Sequence, residues 1–125
     1  MAGSIDNRKG DKLQLETEVI TFNLVEGFHQ WGGAPDQVAF LRHRHRHTFH
    51  IRCAFPVLHN DREKEIFIQQ WKIQDHIAAR WGTPAEFQNL SCESIAEALL
   101  KDLGCSWVEV LEDGQGGAKV LKKAN

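Results

Sequence analysis

Apolar and polar positions alternate from Leu13 to Phe28, with Val19, Thr21 and Asn23 on one face and Ile20, Phe22 and Leu24 on the other. A period of two predicts a long β-strand. Gly32-Gly33-Ala34-Pro35-Asp36 is loop chemistry. Alternation resumes from about Arg46 to Leu58 as a second strand, with His59-Asn60-Asp61 as a turn and Glu63 to Ile68 as its partner. From Gln69 to Trp81 the period becomes helical, so that Trp71, Ile73, Ile77 and Trp81 share a face turned to the core; Gly82, Thr83 and Pro84 stop it. Ser91 is suited to N-cap a second helix through Leu103, with Ile95, Ala98, Leu99 and Leu103 inward and Gly104 at its end. Trp107 to Leu111 reads as a strand, Asp113 to Gly117 as a glycine-rich turn, and Ala118 to Leu121 as a short last strand. The class is α+β. If residues 59–61 only bend one long hairpin arm, the order is ββααββ, an antiparallel sheet with two helices on one face.

The second strand opens with Arg42-His43-Arg44-His45-Arg46-His47-Thr48-Phe49-His50, which holds four of the seven histidines. Side chains two apart on a strand share a face, with Cα atoms about 6.6 Å apart. His43, His45, His47, Phe49, Ile51 and Cys53 therefore face one way, and Arg44, Arg46, Thr48, His50 and Arg52 the other. Adjacent histidines on one face can hold one metal ion, whereas His43 and His47 are about 13 Å apart on an ideal strand. A catalytic zinc commonly takes three protein ligands and keeps one position open. His29, at the end of the first strand, is the best third donor; His59 and His76 are weaker ones. The second strand offers no glutamate among Thr48 to Cys53. Two other readings stand beside the metal site: alternating Arg and His that only solvates an exposed strand face, and a phosphate track formed by Arg42, Arg44, Arg46 and Arg52.

Charge argues against the track. The net charge is −2, and no aromatic residues interleave with the basic run, so nucleic acid is a disfavoured partner. A chain of 125 residues suits one domain. We assign residues 13–125 to it and residues 1–12 to a flexible tail. Nothing approaches the roughly 18–20 apolar residues of a membrane span, and no secretory signal is expected. Cys53, Cys92 and Cys105 lack zinc-type Cys-x-x-Cys spacing and suit buried thiols in a cytoplasmic protein.

Three separated features resemble the 6-pyruvoyl-tetrahydropterin synthase and 6-carboxy-tetrahydropterin synthase family of the tunnelling fold, or T-fold. The first is His29 followed by His45-Arg46-His47-Thr48-Phe49. The second is Leu90-Ser91-Cys92-Glu93-Ser94-Ile95-Ala96, which is similar to the opening of the family's second helix. The third is Val108-Glu109-Val110-Leu111-Glu112-Asp113, similar to a strand whose glutamate anchors the pterin ring. The likeness runs from about Val19 to Ala118. It departs from the family in three places: Gly32 to Arg44 contains no cysteine, where the family carries a catalytic one, the family's Asp-His segment has no counterpart, and the Met-Asp-Phe that ends the family's second hairpin arm becomes Ile66-Phe67-Ile68.

The resemblance implies zinc held by His29, His45 and His47. It implies a pterin or purine-derived small molecule bound by Glu112, with Glu93 and Cys92 beside it. It also implies a homo-oligomer with sites near subunit boundaries. The expected activity is that of a pterin-synthase-like lyase acting on a GTP-derived dihydropterin such as dihydroneopterin triphosphate, and no residue is assigned as its general acid or base. The alternative is a zinc-containing pterin- or nucleotide-binding protein without catalysis. Trp31, beside His29 in a glycine-rich segment, is a candidate for ligand contact.

Overall fold

Strand β1, Thr17–His29, and strand β2, His45–Val57, pair antiparallel along their whole length, from Thr17 opposite Val57 to His29 opposite His45. Both come from a computed structural model that describes residues 13–123; the tail assigned to residues 1–12 lies outside them. A short 3-10 stretch, Asp36–Arg42, carries the chain between the strands. Helix α1 covers Ile66–Trp81, strand β3 Ala85–Gln88 and helix α2 Cys92–Leu103; strands β4, Trp107–Glu112, and β5, Gly116–Leu121, follow. The spatial order is β3-β1-β2-β4-β5.

The alternation in the sequence becomes two different sheet faces. Val25 on β1, Phe49, Ile51, Cys53 and Phe55 on β2, and Val108 and Val110 on β4 meet Ile73 and Ile77 of α1 and Ile95 and Leu99 of α2 in one buried core. Among the described residues no helix covers the opposite face, and Ile20, Phe22 and Leu24 are exposed there. Ser91 caps α2 by accepting the Ser94 N–H, and Gly104 closes the helix in the left-handed conformation that favours glycine.

Three expectations need correction. Glu63 to Ile68 is not a strand. Glu65 accepts the Ile68 N–H and starts α1 at Ile66, three residues before the expected Gln69, because a carboxylate cap satisfies an orphan helix donor. The sheet is not purely antiparallel: Ala85–Gln88, which lacks a long alternating pattern, joins the free edge of β1 in parallel and makes the sheet mixed. Trp71 does not belong to the core; it is 64% exposed, and Ile73 and Ile77 fill the buried side of α1. No helix among the described residues is long and apolar enough to cross a membrane.

Candidate metal centre

The register of β1 and β2 sets His29 directly opposite His45 and Gly27 opposite His47. All three histidines lie on the helix-facing side, continuing the row that holds Phe49. Phe49 packs edge-on beneath His29 and His47, at centroid distances of 5.3 and 5.6 Å. Gly27 leaves room for that ring: a Cβ there would lie 3.1 Å from the Phe49 ring and 2.8 Å from Phe87.

The imidazoles form a triangle with centroid separations of 4.6, 4.9 and 5.2 Å, each pair close to perpendicular. One nitrogen from each lies within 4.8 Å of the others. The outer nitrogens are all held. Nδ1 of His29 is 3.0 Å from the Leu90 carbonyl, Nδ1 of His45 is 2.8 Å from the His43 carbonyl, and Nδ1 of His47 is 2.7 Å from Oδ2 of Asp113. Carbonyls only accept, so Nδ1 of His29 and of His45 donates, and Nε2 of each neutral ring presents a lone pair inward. Nε2 of His45 and of His47 are buried without any hydrogen-bond partner. Two orphaned basic nitrogens aimed at one point are costly in a protein and are what a divalent cation satisfies. The three histidines thus fit a metal ion.

Strand β4 extends the site. Phe49 pairs with Glu112, which continues the inward series of Val108 and Val110 to the sheet's end. The Glu112 carboxylate reaches the imidazoles, with Oε2 3.0 Å from Nε2 of His29 and Oε1 3.5 Å from Nε2 of His47. Asp113 lies one residue beyond. It donates its N–H to the Thr48 carbonyl at 2.8 Å and receives the Thr48 N–H on Oδ1 at 2.9 Å, which locks the carboxylate that holds His47. The His47 hydrogen bond, with that of the Thr48 amide, keeps the Asp113 carboxyl below its ordinary pKa. Burial lowers the His29 pKa, outweighing the Leu90 carbonyl and the Glu112 charge, which favour the protonated ring.

These groups floor a cavity of about 640 Å³. Trp31, Glu93 and Cys92 line it, together with Gln30, Asn89 and Gln115. Cys92, in the first turn of α2, hydrogen-bonds Oε2 of Glu112 at 3.7 Å. Burial first, and then the Glu112 carboxylate, push its thiol up to about 12. The other histidines stand apart: His43 is exposed, His50 lies against the Phe22 ring on the uncovered face, His59 faces Glu63, and His76 is bound to Asp102. The arginines of the basic run are paired, Arg42 with Asp36, Arg44 with Glu86, Arg46 with Glu26 and Arg52 with Glu109. A run that looked basic in sequence is therefore largely neutralised on the surface.

Asp113 and the Leu90 carbonyl escaped the sequence reading. Asp113 looked like a turn residue, and its proximity to His47 depends on a β2–β4 register that no local pattern encodes. A scan against models of known protein families matches none, and no curated protein matches the sequence.

Proposed function

We propose that the chain is a zinc-dependent enzyme of small heterocycles, a pterin-synthase-like lyase built on a T-fold. The observation that carries this reading is the convergence of three inward Nε2 atoms, two of them buried without partners, on the floor of a cavity about 640 Å³ in volume. That volume lies in the range of ordinary small-molecule sites. His29, His45 and His47 hold the metal, and Asp113, Leu90 and His43 orient them through Nδ1. A bound zinc ion supplies Lewis acidity toward the side-chain oxygens of a dihydropterin such as dihydroneopterin triphosphate.

Glu112, Glu93 and Asp113 are the carboxylates lining the cavity, and Asp113 is already committed to His47. A carboxylate suits the guanidine-like edge of a pterin or guanine ring, because two ring-side N–H groups meet two oxygens. Cys92 completes the proposed binding set. Self-association belongs to the same reading: exposed Ile20, Phe22 and Leu24 and the edges of β3 and β5, unpaired among the described residues, offer surface for it. Three free, buried cysteines suit a cytoplasmic setting.

A binding protein without lyase activity is the second reading. The specific observation in its favour is that Gly32 to Arg44 holds no thiol. Among the described residues, the helix-borne His–Asp pair joins His76 of α1 to Asp102 in the last turn of α2, while the cavity meets the first turn of α2, roughly 15 Å away along the helix.

Incubating the zinc-loaded chain with dihydroneopterin triphosphate separates the two. Triphosphate release or side-chain cleavage supports the lyase. No turnover, with pterin binding that Glu93→Gln or Glu112→Gln removes at full zinc occupancy, selects the binding protein. Neither turnover nor binding at full zinc occupancy rejects the pterin reading and leaves the metal centre standing.

A further inference from the structure

We infer that Glu112 is a fourth metal ligand, so that the resting centre is a three-histidine, one-carboxylate site drawn from three adjacent strands. This rests on the metal reading above and not on the pterin. Glu112 stands against two of the imidazoles, its two oxygens 3.0 and 3.5 Å from the inward nitrogens of His29 and His47, and would meet a ring edge only when displaced from the ion.

The distances are those of ligands around one ion. Zinc bonds of about 2.0–2.1 Å put neighbouring ligand atoms roughly 3.3 Å apart in a tetrahedron, and the 3.0 and 3.5 Å separations bracket that value. A hydrogen bond does not account for both contacts. At His29 the Leu90 carbonyl already takes the Nδ1 proton, so Nε2 of the neutral ring carries a lone pair. A lone pair facing a carboxylate oxygen at 3.0 Å calls for a cation between them, a proton or a metal ion. At His47 the 3.5 Å contact makes no hydrogen bond, and its Nε2 remains buried and unpartnered.

The position of Glu112 has a structural reason. It is the residue after the buried Val108 and Val110 on the same face, so its carboxylate is delivered to the metal by the strand's own period. The chemical consequence is a lower net charge at the ion and one fewer open position. With an ion bound, a substrate oxygen would reach it only where the Glu112 carboxylate gave way or a further position opened.

Zinc and cobalt(II) affinities of the full chain, measured by chelator competition, test this with Glu112→Gln, Glu112→Ala and, as a control, Glu109→Gln on the outer face of the same strand. Loss of an outer partner alone costs 10–100-fold, so loss of a direct ligand should cost at least about 10-fold. Glu109→Gln should match the parent, and millimolar formate should restore much of the cobalt spectrum of Glu112→Ala. Infrared difference spectra of the unmodified chain give a readout independent of any variant's folding: zinc should shift a carboxylate stretch. Parent-like affinity in Glu112→Gln while His47→Ala loses zinc, or no carboxylate shift on loading, overturns the ligand role alone. A parent chain that takes up no metal overturns both this inference and the metal reading.

Discussion

Oδ2 of Asp113 lies 2.7 Å from Nδ1 of His47, 66 residues away in sequence, and turns the opposite nitrogen of that ring toward His29 and His45. The same carboxylate is fixed through the Thr48 amide, so the ring orientation is set by the β2–β4 junction rather than by β2 alone. Carboxylate–imidazole pairs of this kind fix the tautomer and raise ligand basicity.

Removing that partner gives the first prediction. Asp113→Ala should weaken zinc binding by about 10–100-fold while the far-ultraviolet spectrum stays that of the parent. Chelator competition measures the affinity. Unchanged affinity would mean that the ring is held by its packing against Phe49 alone.

Ligand identity gives a second. His29→Ala, His45→Ala and His47→Ala should each lose most bound zinc, read by elemental analysis after dialysis. His43→Ala and His50→Ala should retain it, since one is exposed and the other lies against Phe22 on the far face. Equal losses across all five variants would contradict the strand register.

Glycine packing beside the site gives a third. A Cβ at Gly117 would lie 1.9 Å from the Val110 carbonyl oxygen, and backbone cannot step aside as a side-chain tip can. Gly117→Ala should therefore break part of the β4–β5 pairing and destabilise the fold by about 3 kcal/mol or more. At Gly27 the obstacle is two aromatic rings, and Gly27→Ala should cost about 1–3 kcal/mol and loosen zinc binding through His29 and His47. Urea midpoints and slopes decide both. A Gly117→Ala chain as stable as the parent would refute the hairpin geometry.

Acid stability gives a fourth. Asp102 bridges α2 to His76 and Arg80 of α1. Burial raises its pKa, but the two hydrogen bonds and the Arg80 and His76 charges together hold the carboxyl below its ordinary 3.8. A folded pKa below the unfolded one stabilises the fold above the unfolded value, and the gain disappears as pH falls through the folded value. Asp102→Asn should thus lower stability by about 1 kcal/mol at pH 5 and above, and the difference should close below about pH 3.8. Urea denaturation from pH 2.5 to 7 tests it. A gap that widens on acidification would reverse the sign.

What the chain determined locally was substantial. Period-two alternation was enough to align His29, His45 and His47 with buried Phe49 and Ile51, because a strand sends alternate side chains to opposite faces whatever it pairs with. Ser91 and Gly104 bounded α2 for equally local reasons, a hydroxyl that accepts an early helix N–H and a residue free to adopt positive φ. Periodicity misled at Glu63 to Ile68, where three apolar residues, Ile66, Phe67 and Ile68, are too few to distinguish strand from helix and the Glu65 cap decided the matter. Tertiary structure alone decided which strands are neighbours. The parallel seating of Ala85–Gln88 on β1, the arrival of Glu112 at the imidazoles and the grip of Asp113 on His47 all depend on pairing between segments tens of residues apart. Such pairing is chosen by the burial of the whole sheet face at once, and no short window of sequence contains that information.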